Sequence, residues 1–230
     1  MLALLYDIHG NLPALEAVLE DAAAQGARSF LLGGDYALFG AWPHETVMRL
    51  EALEDARWLR GNTERWTANP DQAPDQEPAS GAIPACREAL GQAAVERLGS
   101  LPEQLVLEST RYCHASPVSD MRSFLPEPAE DESELLAQTS EPRLVFGHTH
   151  LAFRRRARGP AGDIELVNPG SVGIPLDGDV RAAYALLSPE DELEHRRVAY
   201  DHNASAAALR KRFGGPWTEI IARRIEIARA

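Results

Sequence analysis

The sequence predicts an α/β protein in which two β-sheets pack together in a single domain. Three observations point there. From Leu2 to Asp35 the chain reads strand, loop, helix, strand, loop, the pattern of a parallel βαβ unit. From Leu151 onward it turns to hairpin-like strand pairs. Residues suited to metal ligation stand at strand ends in both halves, so the halves share one set of ligands and do not read as separable domains. The expected domain spans 1–230, since 230 residues allow one large domain without requiring two.

Leu2–Tyr6 is a continuous apolar run, suited to a strand covered on both faces, and Asp7 ends it. Pro13 suits a helix first turn. Leu15, Val18, Leu19 and Ala22 follow at helical spacing, and Gly26 suits the helix end. Phe30–Leu32 is the next strand, stopped by Gly33-Gly34-Asp35. His44–Ala56 reads as a second helix, and Arg57–Arg60 as a short strand leading into Gly61-Asn62. Residues 67–81 differ in kind: three prolines within Asn69–Pro78 and no periodicity mark a flexible loop. Pro84–Leu98 recovers helical character.

Leu105–Leu107 and Arg111–Cys113 read as strands about a turn at Glu108-Ser109-Thr110. Asp131–Gln138 reads as a short helix and Leu144–Phe146 as a buried strand. Leu151–Arg158 and Ile164–Val167 pair across Gly159-Pro160-Ala161-Gly162. Ala182–Leu187 and Leu193–Ala199 are two further antiparallel strands. Helices close the chain within 203–230, one from about Ser205 and one over Trp217–Ala228.

Hydrophobic content of 44% and charged content of 25% are ordinary for a soluble globular chain. A net charge of −12 argues against a nucleic-acid scaffold or a membrane-surface binder, which need a basic face. It does not exclude an anionic substrate, because bound metal reverses the local charge. Two cysteines, Cys86 and Cys113, make no disulfide framework and read as reduced thiols. No signal-peptide pattern and no membrane-length apolar run is present, so cytoplasm is the expected location.

The chemistry concentrates in Asp7-Ile8-His9, Asp35, Asn62, His114 and Gly147-His148-Thr149-His150, each at the end of an apolar run. Taken singly, each has a plain alternative. The aspartates can cap helices, Gly61-Asn62 can be a turn, and the histidines can be satisfied core or surface residues. Together they offer carboxylate, imidazole and amide donors, enough for two adjacent metals if one carboxylate bridges them. Two such metals activate water and clamp phosphate oxygens. Ligation by nitrogen and oxygen without thiolate favours Mn²⁺, Fe, Zn²⁺ or Ni²⁺ over Ca²⁺.

Asp7-x-His9, Gly34-Asp35, Gly61-Asn62, His114 and Gly147-His148-Thr149-His150 resemble the motif series of the calcineurin-like metallophosphoesterases. Residues Asp7–Leu19 resemble the first βα unit of the compact bacterial and archaeal phosphodiesterase branch, as do Asn168–Gly173, Asp177–Asp179 and Ala183–Leu187. The likeness covers roughly residues 1–200, thinly across 67–142.

It implies a four-layer αββα sandwich of two mixed sheets flanked by helices, with two divalent ions, manganese foremost, at the strand ends. By that likeness Asp7, His9 and His150 hold one metal, Asn62, His114 and His148 the other, and Asp35 bridges. The likeness further implies that a metal-bridging hydroxide would attack phosphorus, that Asn62 would help stabilise the phosphate oxygens, and that Asn11 would reach the substrate phosphate.

Two positions depart from that pattern. Thr63 stands where many relatives carry a histidine serving the leaving group, and threonine is no acid at neutral pH. The expectation is therefore a need for a good leaving group, with Thr63 as a hydrogen-bond donor, or for an acid such as His44 or His202. Ala115 replaces a common glycine. Arg154, Arg155, Arg156 and Arg158 read either as a rim for a polyphosphate or as a charged edge strand. Tyr36, Trp42 and Trp66 read either as base-stacking groups or as packing.

The expected activity is a dinuclear metal-dependent phosphoesterase acting on a small diester or a nucleotide, without stable nucleic-acid or membrane binding. The alternatives are a metal-binding regulatory protein of little turnover and a protein phosphatase.

Overall fold

A computed structural model describes residues 1–230. The chain runs β1 (Leu2–Leu5), α1 (Leu12–Ala24), β2 (Ser29–Leu32), α2 (Pro43–Glu51), β3 (Ala56–Trp58), α3 (Asn62–Ala68), α4 (Ala79–Leu90) and α5 (Gln92–Gly99). It continues β4 (Gln104–Leu107), β5 (Thr110–Cys113), α6 (Glu132–Leu135), β6 (Arg143–Val145), β7 (Phe153–Gly159) and β8 (Gly162–Asn168). It ends β9 (Ala182–Leu187), β10 (Leu193–Val198), α7 (His202–Arg212) and α8 (Pro216–Ile227). One sheet has the order β10-β9-β1-β2-β3 and the other β4-β5-β6-β8-β7. In the first, β1, β2 and β3 are parallel, and in the second β5, β6 and β8 are parallel. The C-terminal ends of parallel strands therefore meet along one edge, the usual place for a site in an open α/β sheet.

The period of two along β1 divides its side chains between two cores. Ala3 and Leu5 join the larger cluster, where α1, α2, α4, α7 and α8 cover the first sheet. Leu4 and Tyr6 point the other way, into a cluster with Leu31, Tyr112, Val145 and Val167 that seals sheet to sheet. A third cluster, including Phe124, Leu135, Leu136, Leu144 and Phe146, covers the outer face of the second sheet. The αββα sandwich is thus as expected, but its fourth layer is thin: one four-residue helix and the segment before it.

Several elements differ from the sequence-based expectation. The helix expected to Ala56 ends at Glu51, because Ala56 pairs with Phe30 in the sheet. The helix expected over Pro84–Leu98 is two helices, separated by Gly91 in the left-handed region (φ 75°). α4 begins at Ala79, so Pro84 lies inside it. The short α3 was not foreseen, since its seven residues are too few to show a period. Of the loop expected at 67–81, its first two residues end α3, its last three open α4, and Pro70–Gln72 forms a single 3-10 turn between them. No helix is long and apolar enough to cross a membrane.

Candidate metal centre

The seven candidate ligands come from five strand ends. Asp7 and His9 follow β1, Asp35 follows β2, Asn62 opens α3 after β3, His114 follows β5, and His148 and His150 follow β6. Asp7, His9, Asp35, His148 and His150 all lie in the left-handed region, with φ of 53°, 49°, 60°, 69° and 59°. Each such residue costs on the order of 1 kcal/mol, and strain of this kind gathers where function requires a particular side-chain direction. Here it turns each side chain back across the strand end toward one point.

Main-chain carbonyls set the ring orientations. Nδ1–H of His9 donates to Leu38 O (3.0 Å), that of His114 to Gly33 O (2.9 Å) and that of His150 to Ile174 O (2.6 Å). Each neutral ring then carries its lone pair on Nε2, which faces the centre, the arrangement a metal ligand needs. His9 Nε2 lies 3.1 Å from His150 Nε2 and 3.7 Å from Asp35 Oδ2. His114 Nε2 lies 2.9 Å from Asn62 Oδ1, 3.5 Å from Asp35 Oδ1 and 3.9 Å from Asp7 Oδ1. His148 Nδ1 lies 3.0 Å from the same Asn62 oxygen.

The donor set fits a divalent cation. Asp7 is fully buried, and its Oδ1 has no hydrogen-bond partner although His150 Nε2 stands 3.6 Å away. Burial, aided by the nearby Asp35 charge, pushes its carboxyl up to about 8. Burial pulls down His9 and, more strongly, His150, and takes His148 to about 4. Burial also opposes a charge on His114, but Asp35 and Asp7 outweigh it and hold that ring above its ordinary value. The Nε2 atoms of His9 and His150 and the orphaned Asp7 oxygen converge at the floor of a cleft, and a bound cation would satisfy them together. Asp7, His9 and His150 form one group of candidate ligands, and Asp7, Asp35 and His114 another.

Three residues outside the expected set hold this arrangement. Glu64 accepts hydrogen bonds from the main-chain N–H of Asp35 (2.8 Å), Tyr36 (2.8 Å) and Gly61 (2.9 Å), tying the β2 and β3 loops together. Its spacing three residues after Gly61, the capping-box interval, was the available signal. Ser171 Oγ donates to Asp7 O (2.7 Å), and Asn168 donates to Gly147 O (3.1 Å) and Thr149 Oγ1 (2.9 Å). Gly61 must be glycine, since a Cβ there would meet Asp35 Oδ1 at 2.2 Å.

The structure does not bring every expected residue to the cleft. Asn11 is buried and donates to Gly173 O (2.8 Å) and Tyr200 Oη (3.1 Å), a bracing position. Thr63 is buried too, and its hydroxyl donates to Glu64 Oε1 (3.3 Å). Exposed His44 on α2 and His202 at the start of α7 do not line the cleft either. Of the three aromatic candidates only Trp66 lines it. The arginines of β7 lie on an edge strand, where Arg154, Arg155 and Arg158 pair with Glu165, Glu132 and Asp163. Both cysteines are buried free thiols.

A sequence model of the calcineurin-like phosphoesterase superfamily domain matches residues 1–192. The chain is 30% identical over 224 residues to an uncharacterized protein of Methanocaldococcus jannaschii, covering 87% of this chain and 88% of that one. It is 29% identical over 193 residues to the phosphodiesterase YfcE of Escherichia coli, covering 79% and 83%. It superposes on a metallophosphoesterase from Sphaerobacter thermophilus with a TM-score of 0.82 and 25% identity, over 99% of this chain and 98% of that one. A hypothetical protein from Pyrococcus horikoshii shares the fold, with a TM-score of 0.84 and 21% identity over 100% of both chains. The chain belongs to the calcineurin-like phosphoesterase superfamily. It is a hydrolase of phosphoester bonds in a metal-dependent family, and it carries candidate ligand groups for the metal.

Proposed function

We propose that this centre holds two divalent cations and hydrolyses a phosphodiester or nucleotide phosphoester. One observation carries the proposal: the two oxygens of Asp35 face different histidines, Oδ2 toward His9 (3.7 Å) and Oδ1 toward His114 (3.5 Å). That is the disposition of a carboxylate shared by two ions. Asp7, His9 and His150 would hold one, and Asn62, His114 and His148 the other. The nitrogen and oxygen set suits manganese, iron, zinc or nickel, and the family likeness puts manganese first among them. When bound, two such ions lower the pKa of water and offset charge on the phosphate oxygens.

The chain's own groups do the positioning. Asn62 keeps its amide oxygen between His114 and His148, which leaves its N–H free to donate to a phosphate oxygen. Thr63 N–H donates to Asp35 Oδ1 (3.0 Å) and steadies the shared carboxylate. Thr63, His44 and His202 do not offer an acid in the cleft, which favours substrates with good leaving groups.

The test is hydrolysis of an activated aryl phosphodiester and its matching monoester by metal-stripped protein, with Mn²⁺ restored, beside Asp35→Asn. Mn²⁺-dependent diester turnover that the variant loses supports the proposal. Monoester preference points to a phosphatase. Stoichiometric metal binding without turnover, under any of the four metals, points to a binding protein.

A further inference from the structure

The cleft over the centre has one cation among its lining residues, Arg224 of α8, which lies beyond the stretch matched by the family. Its cavity, about 250 Å³, is somewhat smaller than the usual small-ligand site and is open to solvent on one side. Phe39, Trp66, Leu176 and Ile221 give it apolar walls. Ile221 and Arg224 are three residues apart and share one helix face.

The helix is held firmly in place. A Cβ at Gly81 of α4 would meet Trp217 Cδ1 at 2.7 Å, so α8 seats directly on α4. Gly178 N–H donates to Ala228 O (2.9 Å) and pins the helix end one turn beyond Arg224.

Arg224 is half-buried, yet it forms no ion pair or side-chain hydrogen bond, while Asp35 and Glu77 line the same cleft. Burial alone acts on its guanidinium and pulls it below its ordinary value. By contrast, Arg65, Arg143, Arg196 and Arg210 are each raised by carboxylate partners. An unpaired, partly desolvated guanidinium on a fixed helix is costly, and an anionic ligand supplies the missing partner with two parallel hydrogen bonds. Asp35 belongs to the centre and, like Glu77, makes no ion pair with Arg224, so no carboxylate of the cleft neutralises the guanidinium.

We propose that Arg224 is a specificity-determining residue that receives a second anionic group of the substrate, beyond the phosphoryl group that reacts. The substrate class is then a phosphoester whose apolar or aromatic body lies along Trp66 and Ile221 and carries a further phosphate. This deepens the phosphoesterase reading and rests on it.

The test compares thymidine 5′-(4-nitrophenyl phosphate) with its 3′-phosphorylated counterpart, using Mn²⁺-loaded native protein, Arg224→Gln and Arg224→Lys. The native protein is expected to favour the 3′-phosphorylated substrate in kcat/KM, mainly through KM, by at least about tenfold. Arg224→Gln is expected to abolish that preference while leaving kcat for the other substrate within about twofold. Arg224→Lys keeps part of it. No preference in the native protein, or equal losses on both substrates, overturns the proposal.

A second readout is calorimetric binding of thymidine 3′,5′-bisphosphate and thymidine 5′-monophosphate to metal-stripped protein. The bisphosphate is expected to bind more tightly, and only through Arg224. If binding depends on Arg224 but nothing is turned over, the anion site stands and the phosphoesterase reading fails. If Mn²⁺-dependent hydrolysis proceeds without any Arg224-dependent preference, the anion site fails and the phosphoesterase reading stands.

Discussion

His9 and His150 face each other Nε2 to Nε2 at 3.1 Å, with their rings tilted by 42°. The outer nitrogen of each is occupied by a carbonyl, and burial pulls both below their ordinary basicity. Two inward lone pairs at that distance are a preformed half of a coordination shell. Replacing either ring, by His9→Ala or His150→Ala, is expected to weaken Mn²⁺ binding by at least about 100-fold. Metal titration by calorimetry checks this, and unchanged affinity in both variants would remove these rings from the centre.

Asp7, Glu64 and His114 set the pH response of the metal-stripped protein. Burial, with the Asp35 charge adding to it, raises Asp7 from 3.8 to about 8 and Glu64 from 4.5 to about 7. His114 is held above 6.5 by Asp35 and Asp7 against the effect of burial. All three bind protons more tightly when folded, so the stability they provide is present at low pH and lost as pH rises through their folded values. His9, His148 and His150 shift downward, and their opposite contribution is already complete above 6.5. From pH 6.5 to 8 the net effect of these groups is a loss of stability. The Tm of metal-stripped protein is expected to fall across that interval, and Asp7→Asn to flatten most of the fall. A rise in Tm over the same interval would contradict the assignment.

Glu64 satisfies three buried main-chain donors, at Asp35, Tyr36 and Gly61. Glu64→Ala strands all three, at an expected cost of about 3 kcal/mol or more. Because those donors belong to the loops carrying Asp35 and Asn62, metal affinity is expected to drop about 10- to 100-fold as well. Urea unfolding and metal titration of the same variant separate the two effects. A stability loss with native metal affinity would make Glu64 a fold residue only.

Thr63 is buried against Glu64 and presents no acid to a leaving group. Across a series of aryl phosphodiesters, the rate is expected to fall steeply as the leaving group becomes more basic. A flat series would mean that a proton donor reaches the leaving oxygen after all.

The sequence by itself determined most of the strands and singled out the candidate ligands. Leu2–Tyr6 and Phe30–Leu32 are apolar without interruption because both faces of those strands are covered. Asp7, Asp35, Asn62, His114 and the His148–His150 pair stand out because polar residues end apolar runs where strands end. Local sequence says little about pairs of residues distant along the chain. Glu64 carried no reading of its own in the sequence, and only folding brings it beneath the Asp35 loop 29 residues away. Asn11 looked free to reach a phosphate until Gly173, 162 residues on, took its amide. Arg224 carried no signal at all, since a lone arginine in a helix reads as solvated surface. Periodicity and strand-end chemistry are properties of neighbouring residues, and burial without a partner is a property of the packed whole. The first can be read along the chain, and the second was decided when α8 closed over the strand ends.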